Sequence, residues 1–202
     1  MNTLPEAFKK RMKELFKDEY EAFEASYEKE RVQGLRFNSL KSVEGRKTGW
    51  EKEAVPGLAA LMEKRPGTSL TPIPWVKEGY YYEAQARPGR HPFHEAGVYY
   101  IQEPSAMAVT ELLDPQPGER ILDLCAAPGG KSSHIASRLK GKGFLLSNEI
   151  HPSRAKILSQ NMERMGVSNG VVVNEEPSRL AAVFPEFFDG IVVDAPCPGG
   201  GM

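Results

Sequence analysis

The first thirty residues of the chain carry apolar side chains with the period of an amphipathic α-helix. Successive apolar positions lie mostly three or four residues apart, and charged side chains fill many of the positions between them. These apolar positions are Leu4, Phe8, Met12, Leu15, Phe16, Tyr20, Phe23 and Tyr27. Pro5 suits the first turn of a helix, because the N–H that proline lacks would have no partner there. The pattern predicts two helices that meet near Lys17 and Asp18.

The next stretch has the alternation and the turn residues of short strands. GLRFNSLK (34–41) alternates apolar and polar positions, and LTPIPW (70–75) and GYYYEA (79–84) flank a turn at Lys77–Gly79. ARPGRHPFHEAG (86–97) is rich in proline, glycine and histidine and is typical of a linker. Since no third ligand accompanies its two histidines at a suitable spacing, we expect no metal there. The sequence predicts a small α+β domain over residues 1–90.

From residue 98 onward, apolar runs of strand length alternate with stretches of helical period. The predicted strands are residues 119–126, 143–150, 171–174 and 188–196, and the predicted helices are residues 103–114, 129–141 and 152–166. Strands and helices that alternate at these lengths form a parallel sheet with right-handed crossovers. We therefore predict the α/β class of fold, with a doubly wound, Rossmann-like sheet over residues 91–202.

Composition excludes several classes of protein. Hydrophobic residues make up 40% of the chain and charged residues 26%, which is typical of a globular protein, and the net charge is -1. No strongly basic field indicates a nucleic-acid partner, so any RNA contact must rest on local patches. The two cysteines have no paired spacing, which favours a reducing compartment without disulfides. No apolar run approaches the length of a membrane span, so we expect a cytoplasmic protein without a membrane partner.

The first predicted strand of the parallel sheet ends in a loop of small residues, DLCAAPGGKSS. Small side chains let the backbone approach a ligand, and the helix that follows offers free N–H groups to a carboxylate. The loop has neither the GxGxxG pattern of dinucleotide sites nor the GxxxxGK[ST] pattern of phosphate loops. The second strand ends in Asn148 and Glu149. Their spacing in sequence from the loop, about twenty residues, is that expected of an acid that binds ribose hydroxyls. A nucleoside cofactor without a pyrophosphate indicates S-adenosylmethionine.

The fourth strand ends in Asp194-Ala195-Pro196-Cys197, which places a thiol where adenine and amide N-methyltransferases usually carry an aromatic residue. A thiol in place of the aromatic residue favours methylation of a carbon atom. Cytosine C5 becomes nucleophilic when a thiolate adds to C6, and a carboxyl group such as that of Asp194 can anchor the base edge. A buried apolar thiol is the alternative for Cys197. For Cys125, beside the cofactor loop, packing against the cofactor is the favoured role.

These motifs together resemble the Sun (Fmu) family of RNA cytosine-C5 methyltransferases, nearest its branch that acts on bacterial small-subunit rRNA. The resemblance rests on ILDLCAAPGGKSSHIA, SNEIHPSRAKIL and FFDGIVVDAPC, with GLRFNSLK, PIPW and AGVYYIQEPSAMA in the first half. It runs from about residue 4 to the end of the chain.

The resemblance implies an S-adenosylmethionine site and an RNA substrate. The implied cofactor residues are Cys125, Ala126, Ala127, Pro128, Gly129, Gly130, Lys131, Glu149, Asn174 and Asp194. Aspartate is common in the family where this chain has Asn174. The resemblance assigns Cys197 to product release and places Asp194 near the cofactor and the target base, and these two are the implied catalytic residues. The nucleophilic cysteine of the family belongs to a Thr-Cys-Ser motif on the following strand.

The 202 residues contain no Thr-Cys-Ser motif, and Pro198–Met202 replace the usual Ser-Gly-Glu-Gly-Met continuation. We therefore expect an incomplete methyltransferase sheet, whose fourth strand forms a hydrophobic edge through Ile191, Val192 and Val193. A fragment that binds cofactor or RNA without catalysis is one alternative. A DNA cytosine-C5 enzyme is another, although GLRFNSLK and PIPW favour the RNA family.

Basic residues of the first half offer two interpretations. They are Lys9, Lys10, Arg11, Lys13, Arg36, Lys41, Arg46 and Lys47. They form either an RNA-facing patch or, because glutamates are interleaved with them, a solvated helix face.

Overall fold

The computed structural model describes residues 4–41, 62 and 69–195, and the chain divides into two compact units, Met1–Val32 and Gln33–Met202. The first unit is a pair of helices, α1 (Glu6–Phe16) and α2 (Tyr20–Ser26), joined by a 3-10 turn at Lys17–Glu19. Stacking of Phe16 on Phe23, with ring centroids 4.5 Å apart, packs the two helices together. The predicted helix pair and its break near Lys17 are confirmed.

The second unit begins with an antiparallel sheet in the order β2-β3-β1-β4. Its strands are β1 (Gln33–Phe37), β2 (Leu70–Pro72), β3 (Gly79–Tyr82) and β4 (Tyr99–Ile101). Leu35, Phe37, Leu70, Tyr99 and Met62 form its apolar core. The strand predicted over 34–41 ends at Phe37, because residues 39–41 form a 3-10 turn. β4 lies beyond the predicted linker, which itself contains α3 (Pro92–Glu95).

A parallel sheet follows, in the order β7-β6-β5-β8. Its strands are β5 (Arg120–Asp123), β6 (Phe144–Asn148), β7 (Gly170–Val173) and β8 (Gly190–Val192). The helices are α4 (Pro104–Leu113), α5 (Gly130–Leu139), α6 (Pro152–Met165) and α7 (Pro177–Val183). The predicted α/β fold is confirmed, and α7 is an element that the sequence pattern did not assign.

The two faces of the parallel sheet are covered by different helices. Ile121 and Leu145 pack among residues of α5 and α6, whereas their neighbours Leu122 and Leu146 pack with Leu180 of α7. This division follows from the pleat, since successive side chains of a strand point to opposite faces. The strand order reverses between β5 and β8, and ligands of open α/β sheets bind at such a reversal.

β8 is an edge strand among the described residues, because it pairs with β5 alone. Ile191 and Val193 are 54% and 61% exposed, as expected for an uncovered hydrophobic edge. Val192, also predicted to lie on that edge, points inward and is buried. No described helix is long and apolar enough to cross a bilayer.

Replacement of Asn38 tests the connection between the antiparallel sheet and the end of α6. This buried side chain donates through Nδ2 to the carbonyls of Gly97, at 2.9 Å, and of Met165, at 2.8 Å. Asn38→Ala leaves two carbonyls without these donors, so we expect a loss of about 2 kcal/mol in the free energy of unfolding, measured with urea. Asn169→Ala removes an exposed bond to Lys142 and is the control. Equal losses in both variants would contradict the prediction.

Candidate cofactor site

The loop of small residues after β5 is held in place by hydrogen bonds from neighbouring elements. Its Ala126 N–H donates to the carbonyl of Asn148 at the end of β6, at 2.8 Å. Two side chains of α6 donate to the loop carbonyls: Arg154 to Ala127 at 2.9 Å, and Asn161 to Pro128 at 2.7 Å. Because α6 and β6 both contact it, the loop has a defined shape although it has few side-chain atoms of its own.

Glycine is required at the end of this loop. Gly129 has φ +110°, and a Cβ there would lie 3.2 Å from Cδ1 of Leu158. L-residues rarely adopt such a backbone conformation, so both the torsion and the packing favour glycine. The turn at Gly129 directs the chain into α5, whose first N–H groups lie beside the loop.

Glu149, directly after β6, presents a buried carboxylate at the strand ends. The residue is 2% exposed; its Oε1 accepts from the His151 N–H at 2.9 Å, and its Oε2 lies 3.0 Å from Nη1 of Arg154. A carboxylate has about four acceptor positions, so each oxygen retains a lone pair for a further donor. The two hydroxyls of a ribose would match those lone pairs.

Asn148 and Asn174 fix the strand ends around Glu149. Nδ2 of Asn148 donates to the carbonyls of Leu124 and Glu175, each at 3.1 Å, so it links the ends of β5, β6 and β7. Asn174 is exposed, and its Nδ2 donates to the Glu149 carbonyl at 2.6 Å. Here Asn174 orients the backbone of Glu149.

Asp194, beyond β8, forms an ion pair with Lys131 in the first turn of α5. Asp123, at the end of β5, is buried, and the hydroxyl of Ser132 donates to its Oδ2 at 2.7 Å. Burial raises the pKa of Asp123 to about 6. The first turn of α5 therefore contacts acidic groups from two strand ends.

One cleft of about 290 Å³ lies at these strand ends. Four of the predicted site residues line it, namely Cys125, Ala127, Glu149 and Asp194. The predicted Ala126, Pro128, Gly129, Gly130, Lys131 and Asn174 do not line it; they build the loop, the helix start and the strand end around it. Cys197 lies outside the described residues.

Several residues that line the cleft had no role predicted from the sequence. Arg154 comes from α6, and Pro177 begins α7, so only the fold brings them to the cleft. Ile150 carried a usable signal, because it is an apolar residue directly after the acid and is half-exposed at the cleft.

Cys125 has a thiol that is poorly suited to nucleophilic attack. Burial raises its pKa, and the carboxylates of Asp123, Glu149 and Asp194 raise it further. The thiolate is the nucleophilic form, so a raised pKa disfavours catalysis by this residue. The environment agrees with the packing role inferred for it.

Glu78, Glu111 and His134 could offer ligand atoms to a metal ion, since these atoms lie within 4.8 Å of one another. None of the three lines the cleft. Burial, together with the nearby Arg36 guanidinium, lowers the pKa of His134 to about 4. A guanidinium at this position opposes the binding of a further cation.

The structure corrects part of the suggested basic patch. Arg36 is buried and cannot face RNA, and Nζ of Lys41 donates to the carbonyls of Ala96, at 2.6 Å, and Arg164, at 2.8 Å. In the helical unit, Lys9 lies 3.3 Å from Glu24 and Lys13 lies over the ring of Tyr20. Lys10 and Arg11 are exposed, and Arg46 and Lys47 lie outside the described residues.

The fold and the position of the cleft define the class of Rossmann-like, S-adenosylmethionine-dependent methyltransferases with an added N-terminal domain. A solved methyltransferase homologue from Pyrococcus horikoshii superposes with a TM-score of 0.81 at 30% identity, covering 98% of this chain and 61% of that one. The NSun6 structure from the same organism shares the fold, with a TM-score of 0.78 at 18% identity over 96% of this chain and 71% of its own.

The chain belongs to the RsmF family of 16S rRNA methyltransferases. Residues 4–104 match the N-terminal domain of 16S rRNA methyltransferase RsmF, and residues 110–202 match 16S rRNA methyltransferase RsmB/F. Ribosomal RNA small subunit methyltransferase F of Salmonella paratyphi B is 34% identical over 98% of this chain and 40% of its own length. The protein of that name from Escherichia coli O1:K1 is 40% identical over 67% of this chain and 30% of its own length. The chain thus spans well under half of the length of these two relatives. The resemblance to a family of rRNA methyltransferases seen in the sequence is confirmed.

Proposed function

We propose that this chain binds S-adenosylmethionine in the cleft and forms the cofactor-binding part of an enzyme that methylates carbon 5 of cytosine in rRNA. The observation that carries the proposal is the meeting of Glu149, the Cys125–Ala127 loop and Asp194 around one cleft at the strand-order reversal. Membership of a family of 16S rRNA methyltransferases supports the cofactor and the RNA substrate. We expect the protein to act in the cytoplasm.

The residues around the cleft fit such a cofactor. We assign the ribose hydroxyls to the two free lone pairs of the buried Glu149 carboxylate. We assign the cofactor's carboxylate to the start of α5, where the first N–H groups and Lys131 provide positive charge. Asp194, paired with that lysine, would then lie between the cofactor and the target base.

The chemistry of carbon 5 explains why the family needs thiols. A thiolate that adds to C6 of cytosine makes C5 nucleophilic, and S-adenosylmethionine held at Glu149 and the Cys125–Ala127 loop would supply the methyl group. A base next removes the C5 proton, and the C6–sulfur bond breaks to restore the ring and the thiolate. The resemblance assigns the attacking thiol to a Thr-Cys-Ser motif, which is absent from the 202 residues, and product release to Cys197. We therefore propose that the chain by itself binds cofactor without transferring methyl groups.

The test combines cofactor binding with methyl transfer. The chain and its Cys197→Ala variant are titrated with S-adenosylmethionine in a calorimeter, then incubated with methyl-labelled cofactor and unmethylated rRNA. We expect equal binding by both proteins and no label in the RNA. Label that appears only with Cys197 present would show catalysis by this chain and overturn the second part of the proposal.

The same assay separates the remaining alternatives. Label in DNA rather than RNA would favour a DNA cytosine-C5 enzyme. Failure of both proteins to bind S-adenosylmethionine would refute the cofactor assignment itself.

A further inference from the structure

Arg36 is the largest fully buried side chain of the described residues, and it lies in β1, outside the cofactor cleft. Its Nη2 donates to the Ser133 hydroxyl at 2.9 Å and approaches the Gly130 carbonyl at 3.4 Å. Its Nε approaches Oε1 of Gln102 at 3.4 Å. None of the ion pairs recorded among the described residues includes Arg36.

Burial of this guanidinium costs free energy, and the need to fill space in the core does not explain why a charged side chain is present there. Burial lowers the pKa of Arg36 to about 10, so the side chain stays charged at neutral pH. Removal of an ion from water carries a large free-energy cost unless good partners compensate it. An apolar side chain would fill the same space without that cost. The charge is therefore best explained by the groups that it holds.

Those groups are the first turn of α5, which is also the end of the cofactor loop. Gly130 is the first residue of α5, and Ser133 lies one turn further along. The antiparallel sheet contacts the same point through β4 and the residue that follows it: a Cβ at Gly130 would lie 3.2 Å from Nε2 of Gln102 and 3.3 Å from Cε1 of Tyr100. Tyr100 is the register partner of Arg36 on the neighbouring strand. One strand pair thus fixes the start of α5 by both hydrogen bonds and close packing.

We propose that Arg36 is a positioning residue of the cofactor site, which acts through Ser133 and Gly130 to hold the Cys125–Lys131 loop in its binding conformation. This inference rests on the proposed function. It assigns to Arg36 of β1 a role toward the cofactor instead of a role toward RNA. It also makes the antiparallel sheet a part of the cofactor site, although no residue of that sheet lines the cleft.

Hydrogen exchange of the whole chain tests the positioning role directly. A lysine keeps the charge of Arg36 but cannot reach both partners with a planar fork. In Arg36→Lys we expect amide exchange at Gly129 and Ser133, whose N–H groups donate to Ala126 and Gly129, to accelerate about 10-fold, while the amides of Leu145 and Leu146 in β6 keep their rates. We expect the Kd for S-adenosylmethionine to rise by about 10-fold in the same variant.

Two further variants test whether Arg36 acts on the loop through Ser133. Ser133→Ala removes the better of the two acceptors, so we expect about a 3-fold rise in Kd, and Arg36→Lys/Ser133→Ala should bind within about 2-fold of Arg36→Lys alone. Arg138→Lys is the matched control, because this arginine lies in the last turn of α5 and pairs there with Glu111 and Asp114, away from the start of the helix. It should leave exchange at Gly129 and Ser133 unchanged.

Each result supports or overturns the inference. Faster exchange throughout Arg36→Lys, including β6, would show a general structural role and overturn it, as would unchanged exchange at Gly129 and Ser133. If the unmodified chain does not bind S-adenosylmethionine, the proposed function fails, and the exchange pattern alone then decides whether Arg36 positions the loop.

Discussion

Glu149→Gln is expected to weaken the binding of S-adenosylmethionine by about 100-fold, since two hydrogen bonds to a charged acceptor are lost or weakened. In the structure Oε1 of Glu149 accepts from the His151 N–H and Oε2 forms an ion pair with Arg154, and the proposal assigns the ribose hydroxyls to the remaining lone pairs. A glutamine has one acceptor oxygen, and its NH₂ group would confront the Arg154 guanidinium and a ribose hydroxyl. Titration calorimetry on the complete chain measures the change.

Two controls separate ribose binding from damage to the site. Glu176→Gln removes an exposed carboxylate just beyond the same strand ends and should leave the affinity unchanged. Arg154→Gln removes the ion pair to Glu149 and a bond to the loop, so we expect a smaller loss, of about 5-fold. If Arg154→Gln weakens binding as much as Glu149→Gln, the carboxylate acts by holding α6 and the ribose assignment is wrong.

Local patterns in the sequence were sufficient to predict most of the elements but not the contacts between them. Apolar period and turn residues identified the four parallel strands of the described residues, because each is an apolar run bounded by glycine, proline or charged residues. β4 was missed because Tyr99–Ile101 is too short to show a period. α7 was missed because the seven residues Pro177–Val183 bury only Leu180.

In the candidate site, too, local patterns predicted single elements but not the contacts between distant residues. The loop and Glu149 were predictable because a strand end followed by small residues, or by an acid, has a known place at the edge of a parallel sheet. Arg36 was listed among the basic residues of a possible RNA-facing patch or solvated face, and both interpretations assume the exposure that is usual for arginine. Its burial depends on Ser133, which lies 97 positions further along the chain. No local pattern contains that contact, and the same is true of Arg154 at the cleft.

Asp123 and His134 are expected to give the protein opposing dependences of stability on pH. Burial raises the pKa of Asp123 from 3.8 to about 6, so below pH 6 the folded state binds a proton more readily than the unfolded state. The contribution of Asp123 to stability therefore grows as the pH falls through that range. Burial lowers the pKa of His134 from 6.5 to about 4, so its contribution is lost as the pH falls from 6.5 to 4. Each contribution amounts to about 3 kcal/mol, since one pKa unit corresponds to roughly 1.4 kcal/mol.

A variant that lacks one of these two side chains should show the pH dependence caused by the other. The two groups titrate over overlapping pH ranges, and they affect the free energy of unfolding in opposite directions. Between about pH 7 and pH 4, Asp123→Asn should lose about 3 kcal/mol more unfolding free energy than the unmodified chain, and His134→Gln should lose about 3 kcal/mol less. Urea unfolding of the three proteins at both pH values measures these differences. The contributions of the titratable groups that the three proteins share cancel when their free energies of unfolding are compared. Asp189→Asn is a control: hydrogen bonds from Arg120 lower the pKa of Asp189 to about 2, so the contribution of this carboxylate is lost mainly below pH 4, and the variant should follow the unmodified chain between pH 7 and pH 4. Parallel pH profiles for the unmodified chain and Asp123→Asn would show that the carboxyl group is not shifted in the folded state, and the buried environment described for the end of β5 would then be wrong.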